Sequence, residues 1–249
     1  MERIPGELLN YFFMQPIIVF DFDGVIVLGS ERTKQKCWLE LFQPKGEKAI
    51  TALTKALERY SEGRGSRYDV ILDVLHGFGV PEEKMAKLVE TYSNEYAQKV
   101  QSGILTGGIR KEDRRALDFL AQKAVLFINT TTPQLAMEEI LDKLNIRHLF
   151  KGVYGQGLQG QNSKKTDILR VIAQRASRPI KDIIFIGDGE GDRRAATEAG
   201  CRFIGIGNND NHWVEIEQKF PVVSSVSEAT AYLFPDFSQS LHSYLTLLH

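Results

Sequence analysis

Asp21 and Asp23 stand one residue apart at the end of the apolar run Ile17-Ile18-Val19-Phe20, and Gly24 follows them. Two carboxylates held this close repel one another, more strongly where water is excluded. A bound cation is the usual remedy. One carboxylate can attack an electrophile while the other trades protons, a division of labour that suits phosphoryl transfer. Asp-x-Asp-Gly stretches also occur in calcium loops and in ordinary strand-to-turn junctions, so this stretch alone does not decide the chemistry.

Three further segments bear on it. Ile183-Ile184-Phe185-Ile186 delivers Gly187-Asp188-Gly189-Glu190-Gly191-Asp192, again an apolar strand running into an acidic, glycine-rich turn. Asp21, Asp23, Asp188 and Asp192 at two strand tips call for a hard cation with oxygen ligands, and Mg²⁺ suits a site beside a phosphate. Val125-Leu126-Phe127-Ile128 leads into Asn129-Thr130-Thr131-Thr132-Pro133. A hydroxyl and backbone N–H groups there can hold a phosphoryl oxygen. Thr132 is placed to cap the helix that Pro133 opens, which leaves Thr130 as the functional candidate, with Asn129 and Thr131 beside it as substrate contacts. Ser163-Lys164-Lys165-Thr166 opens another helix, where an ammonium is favourable only if it faces a carboxylate and a phosphate.

In this order the four segments resemble the haloacid dehalogenase superfamily of aspartate-nucleophile phosphotransferases, from about Ile17 to Gly207. The resemblance implies Asp21 as nucleophile and Asp23 as general acid/base. It implies Thr130 as the phosphate-holding hydroxyl and Lys164 or Lys165 as the charge-offsetting lysine. Lys165 is preferred, because its spacing to Ile168 and Leu169 matches the family's Lys-x-x-apolar-apolar run. It further implies Mg²⁺ held by Asp21, the backbone carbonyl of Asp23 and Asp188, with Asp192 assisting. The run Asn129-Thr130-Thr131-Thr132-Pro133 departs from the usual form, and the doubled lysine leaves its register open. An acid two residues after the nucleophile matches the phosphatases and phosphomutases, not the dehalogenase branch. A phosphatase acting on a small phosphorylated metabolite is expected; a phosphomutase, or a non-catalytic binding protein on the same scaffold, is the alternative.

The elements that must position these residues follow from periodicity. Strands are predicted at Ile17–Phe20, Val125–Asn129, Gly152–Tyr154, Ile183–Gly187, Phe203–Ile206 and Val222–Val223. Helices are predicted at Lys111–Ala121, Gln134–Leu144, Lys165–Ala176 and Asp192–Gly200. This alternation predicts an α/β fold with a Rossmann-like parallel sheet covered on both faces, and the acidic segments fall at carboxyl ends of strands. The stretch 28–102 carries no strand-like run. Helices are predicted there at Thr33–Phe42, Ala49–Tyr60, Tyr68–Leu75 and Glu82–Val100, with Ser102-Gly103 and Gly107-Gly108 punctuating the end. An all-helical insert at this point resembles the family's C1 cap, so residues 1–27 and 103–249 are predicted to form the core and 28–102 the cap. Within it, Arg64-Gly65-Ser66-Arg67-Tyr68 offers Arg64 and Arg67 to a substrate anion, or is simply a solvated turn.

Composition agrees with a globular enzyme. The 249 residues are 43% hydrophobic and carry a net charge of −1, which gives no basic surface for nucleic acid. Cys37 and Cys201, far apart in sequence, read as free thiols in a reducing compartment, with a single bridge between them as the alternative. Phe12–Phe20 is too short to span a bilayer and has no cleavage-like site, so no membrane association and a cytoplasmic location are expected. The Ser238–Leu248 pattern reads as an amphipathic helix that packs on the core or on a partner, and the oligomeric state stays open.

Overall fold

The computed structural model describes residues 15–60, 66–157, 164–208, 211, 213–215 and 217–237. Arg64 and the Ser238–Leu248 pattern lie outside the described residues. The chain divides into two compact units: Gly29–Gly108, and the described residues on either side of it.

The second of these is built on a parallel sheet. Its strands are β1 (Ile17–Phe20), β2 (Val125–Pro133), β3 (Gly152–Gln156), β4 (Ile183–Gly187), β5 (Arg202–Ile206) and β6 (Val222–Val223), in the order β3-β2-β1-β4-β5-β6. Between strands run α5 (Lys111–Lys123), α6 (Gln134–Lys143), α7 (Lys165–Arg175) and α8 (Glu190–Ala199), and α9 (Val226–Leu233) follows β6. Successive strand residues point to opposite faces, and here both sets are buried. Ile17, Val19, Ile183 and Phe185 pack with Leu169, Ile172, Ala195 and Ala196 of α7 and α8. The intervening Ile18, Phe20, Ile184 and Ile186 are equally shielded on the other face. Residues with both neighbours apolar therefore read as short continuous hydrophobic runs, which made these strands visible in the sequence.

Strand order reverses at β1, with β2 on one side and β4 on the other. Open α/β sheets leave a crevice beyond the strand ends at such a point. Asp21 and Asp188 each stand one residue past a strand that borders it.

The Gly29–Gly108 unit is helical: α1 (Ser30–Phe42), α2 (Glu47–Arg59), α3 (Arg67–Gly77) and α4 (Glu82–Gly107). It has its own core of Trp38, Phe42, Leu53, Ile71 and Leu75, with Trp38 stacked on Tyr96 at 3.8 Å between centroids. α4 runs past the predicted Val100 and past Ser102-Gly103, and ends at the second of the two glycine positions, Gly107-Gly108. Gly103 serves packing instead. A Cβ there would stand 2.4 Å from Thr33 Cγ2, so only glycine lets α4 approach α1 this closely. The helix stops at Gly108, whose φ of 63° few other residues adopt.

Both cysteines are free thiols. Among the described residues no helix is long and apolar enough to cross a membrane. The helix Val226–Leu233 is additional to those predicted, and Ser225 caps it by accepting from Glu228 N–H at 3.0 Å. The fully buried Asp113 of α5 accepts from Ser227 N–H at 2.8 Å and ties the two helices together.

Candidate active site

Asp21 continues the alternation of β1 and falls on the face covered by α7 and α8. The first residue of α7 is Lys165, and Asp192 lies in the first turn of α8. Lys165 shares a helix face with Leu169 and Ile172, at i+4 and i+7, and that face is the buried one. The lysine is thereby carried inward, whereas Lys164 precedes the helix and is exposed. Lys165 Nζ reaches Asp21 Oδ2 at 2.9 Å and Asp192 Oδ1 at 2.6 Å.

The surroundings explain the charges. Burial works against the Lys165 ammonium, yet the Asp192 and Asp21 carboxylates outweigh it and hold the lysine protonated well above its ordinary range. Burial pushes the Asp21 carboxyl up to about 7 despite the pull of Lys165, and the nearby Asp192 and Asp23 add to the rise. Asp21 Oδ1 accepts from Phe22 N–H at 2.7 Å, so both of its oxygens are fixed in orientation. Asp192 also accepts from Gly189 N–H at 3.2 Å and so caps the helix that carries it.

Asp21, Asp188 and Asp192 each offer a carboxylate oxygen within 4.8 Å of the others. Three hard oxygen donors fit Mg²⁺. The backbone is shaped around them: a Cβ on Gly24 would stand 1.8 Å from Asp188 Oδ2, and Gly24 has φ of 71°. Gly24→Ala is therefore expected to displace the Asp188 carboxylate and to cost roughly 1–3 kcal/mol of stability. A Mn²⁺ titration with a thermal melt checks this, and wild-type affinity in the variant would refute it. The Asp23 carboxylate is outside this trio; its expected contribution was a backbone carbonyl.

The Asn129–Pro133 run divides its tasks differently from expectation. Thr132 does not cap α6, which starts after Pro133 with no side-chain cap. Its hydroxyl donates instead to Asp23 Oδ2 at 2.9 Å. Thr130 is buried, and its Oγ1 accepts from Thr132 N–H at 3.3 Å while keeping its own hydrogen to give. Asn129 is buried as well, and its amide donates to the Lys165 carbonyl at 2.9 Å, bolting the start of α7 to β2. Thr131 is exposed. In the helical unit, Arg67 turns its Nε to the buried Ser93 Oγ at 2.7 Å.

A family model described as haloacid dehalogenase-like hydrolase matches residues 16–200, and the chain belongs to that family. A phosphoglycolate phosphatase of Pseudomonas savastanoi is 24% identical over 146 residues, 58% of this chain and 52% of that protein. The chain thus aligns with about half the length of that relative. YfnB of Bacillus subtilis, described as a HAD-hydrolase and solved bound to magnesium, superposes with a TM-score of 0.65 at 16% identity, over 88% of this chain and 98% of its own. A beta-phosphoglucomutase of Clostridium difficile superposes with a TM-score of 0.61 at 20% identity, over 92% and 99%. At these identities the structures establish the shared fold.

Proposed function

We propose that this protein is a Mg²⁺-dependent phosphatase that hydrolyses a small phosphorylated metabolite through an aspartyl-phosphate. The observation that carries the reading is the Lys165 ammonium held between Asp21 and Asp192, with Asp188 completing a carboxylate cluster at the switch point of the sheet. Asp21, Asp188 and Asp192, with the Asp23 carbonyl, would hold Mg²⁺, which would supply positive charge against the phosphoryl oxygens.

Asp21 attacks phosphorus in line, the P–O bond to the leaving group breaks, and Asp23 gives its proton to the departing oxygen. Asp23 then takes a proton from water as that water attacks the aspartyl-phosphate, freeing inorganic phosphate and restoring Asp21. Lys165 and Thr130 hold the equatorial oxygens, and Lys165 draws the Asp21 carboxyl down against the burial that raises it. Arg64 and Arg67 are kept as candidates for a substrate anion, and the exposed Thr131 as a further substrate contact.

The test is phosphate release from a panel of phosphorylated metabolites, with Mg²⁺ or with EDTA. Phosphoglycolate belongs in the panel because it names the activity of the Pseudomonas relative. Mg²⁺-dependent release supports the reading. Isomer exchange without net release would mark a phosphomutase, and neither reaction together with no Mg²⁺ binding would mark a binding protein.

Thr132 supplies a finer test of the role given to Asp23. Thr132→Val is expected to lower kcat/KM on the order of 10-fold for an alkyl phosphate, whose leaving oxygen needs a proton. For p-nitrophenyl phosphate, which leaves without one, the loss should be small. Equal losses on both would separate Thr132 from proton transfer.

A further inference from the structure

We infer that Asn208 and Asn211, two asparagines beyond β5, are positioning residues that hold Asp188 for a divalent cation, an inference that rests on the phosphatase reading above. β4 and β5 are parallel neighbours, with Gly187 paired to Gly205. Asp188 and Ile206 therefore sit side by side where the strands end. Asn211 bridges them: its Nδ2 donates to the Asp188 carbonyl at 2.9 Å and to the Ile206 carbonyl at 2.8 Å. Asn208 takes the side chain, donating from Nδ2 to Asp188 Oδ2 at 3.1 Å.

The two asparagines also lock each other. Asn208 N–H donates to Asn211 Oδ1 at 3.1 Å, and Asn211 N–H donates to Asn208 Oδ1 at 2.9 Å. Trp213 N–H adds a second bond to Asn211 Oδ1 at 3.1 Å, so that carboxamide uses both of its donor hydrogens and accepts twice. Trp213 is 8% exposed, and its ring packs edge-on against Phe203 and Phe220. The clasp is thus anchored in the hydrophobic layer beside β5.

Its chemistry suits a metal ligand. A carboxamide N–H orients a carboxylate without bringing a positive charge that would compete with the cation. Lys165 does the opposite for Asp21 and Asp192, where charge must be offset. Partners that orient a ligating carboxylate typically contribute about 10- to 100-fold in metal affinity.

The experiment is a Mn²⁺ titration of the full chain, without substrate, read as free Mn²⁺ by electron paramagnetic resonance. Wild type, Asn208→Ala and Asn208→Ser are compared, with far-UV circular dichroism to confirm folding. Serine can still accept from Asn211 N–H but cannot reach Asp188 with a carboxamide, so it preserves the lock and removes the donor. Both variants are expected to bind Mn²⁺ about 10-fold more weakly. The Mg²⁺ concentration for half-maximal activity should rise by the same factor, with substrate KM at saturating Mg²⁺ unmoved. Wild-type Mn²⁺ affinity in the folded variants overturns the inference and leaves the phosphatase reading standing. Loss of folding in both variants also overturns it, because Asn208 would then be a structural residue. Absence of Mn²⁺ binding by wild type overturns the phosphatase reading itself.

Discussion

Asp21→Asn is expected to lower turnover on the order of 10⁴-fold or more while leaving the fold intact. The amide is nearly isosteric, so the Phe22 N–H can still be satisfied, but it cannot form the phosphoryl bond. The same variant carries a signature in stability. Burial, only partly countered by Lys165, lifts the Asp21 carboxyl from 3.8 to about 7 in the folded protein. Between pH of about 4 and about 7 the folded wild type therefore holds more protons than the unfolded chain, and its stability falls as pH rises through that window. Asparagine has no such titration. In EDTA the variant should melt above wild type near neutral pH, and the gap should narrow as the pH is lowered toward 4. Phosphate-release kinetics and melts across pH check both halves. Appreciable residual turnover would remove Asp21 from the nucleophile's role, and a gap that widens on acidification would contradict its burial.

Lys165→Met should be damaging in both respects. The side chains of Lys165, Asp21 and Asp192 are 13%, 10% and 4% exposed. Removing the shared cation leaves two carboxylates facing each other with little water, and breaking a buried pair in this way costs about 3–5 kcal/mol. For a chain of this size that lowers Tm by roughly 10 °C. Losing one preorganised charge opposite the transferring phosphoryl group lowers kcat by about 10²- to 10³-fold. Excess Mg²⁺ should return part of the lost stability, since a cation against Asp21 and Asp192 replaces some of the missing charge, but not the activity. Lys164→Ala, at the exposed neighbour, is expected to leave the unfolding free energy within about 0.5 kcal/mol of wild type. A small Tm change in Lys165→Met, measured without metal, would mean that the carboxylates do not depend on this lysine.

What the sequence determined by itself was local. Four-residue apolar runs bounded by glycine and acid are strands because both faces of a parallel sheet are buried, and that pattern needs no tertiary information. The same runs placed Asp21, Asp188 and the threonine segment at strand ends, and the helical stretch after β1 was equally plain from its periodicity. Tertiary structure decided everything that depends on which side chains meet. Lys165 rather than Lys164 faces Asp21 because α7 begins at Lys165 and buries the stripe through Leu169 and Ile172. Thr132 serves Asp23 across 109 residues of chain instead of capping the helix beside it, a choice that local propensity cannot anticipate. Gly103 proved to be a packing position inside a helix, because only the approach of Thr33 gives that glycine its reason. Asn208 and Asn211 carry no motif; their one signal is that they follow a strand, and it acquires meaning only when β5 is seen to lie beside β4. Patterns of burial are written along the chain, but hydrogen-bond partners are assigned by the sheet order that brings distant strand ends together.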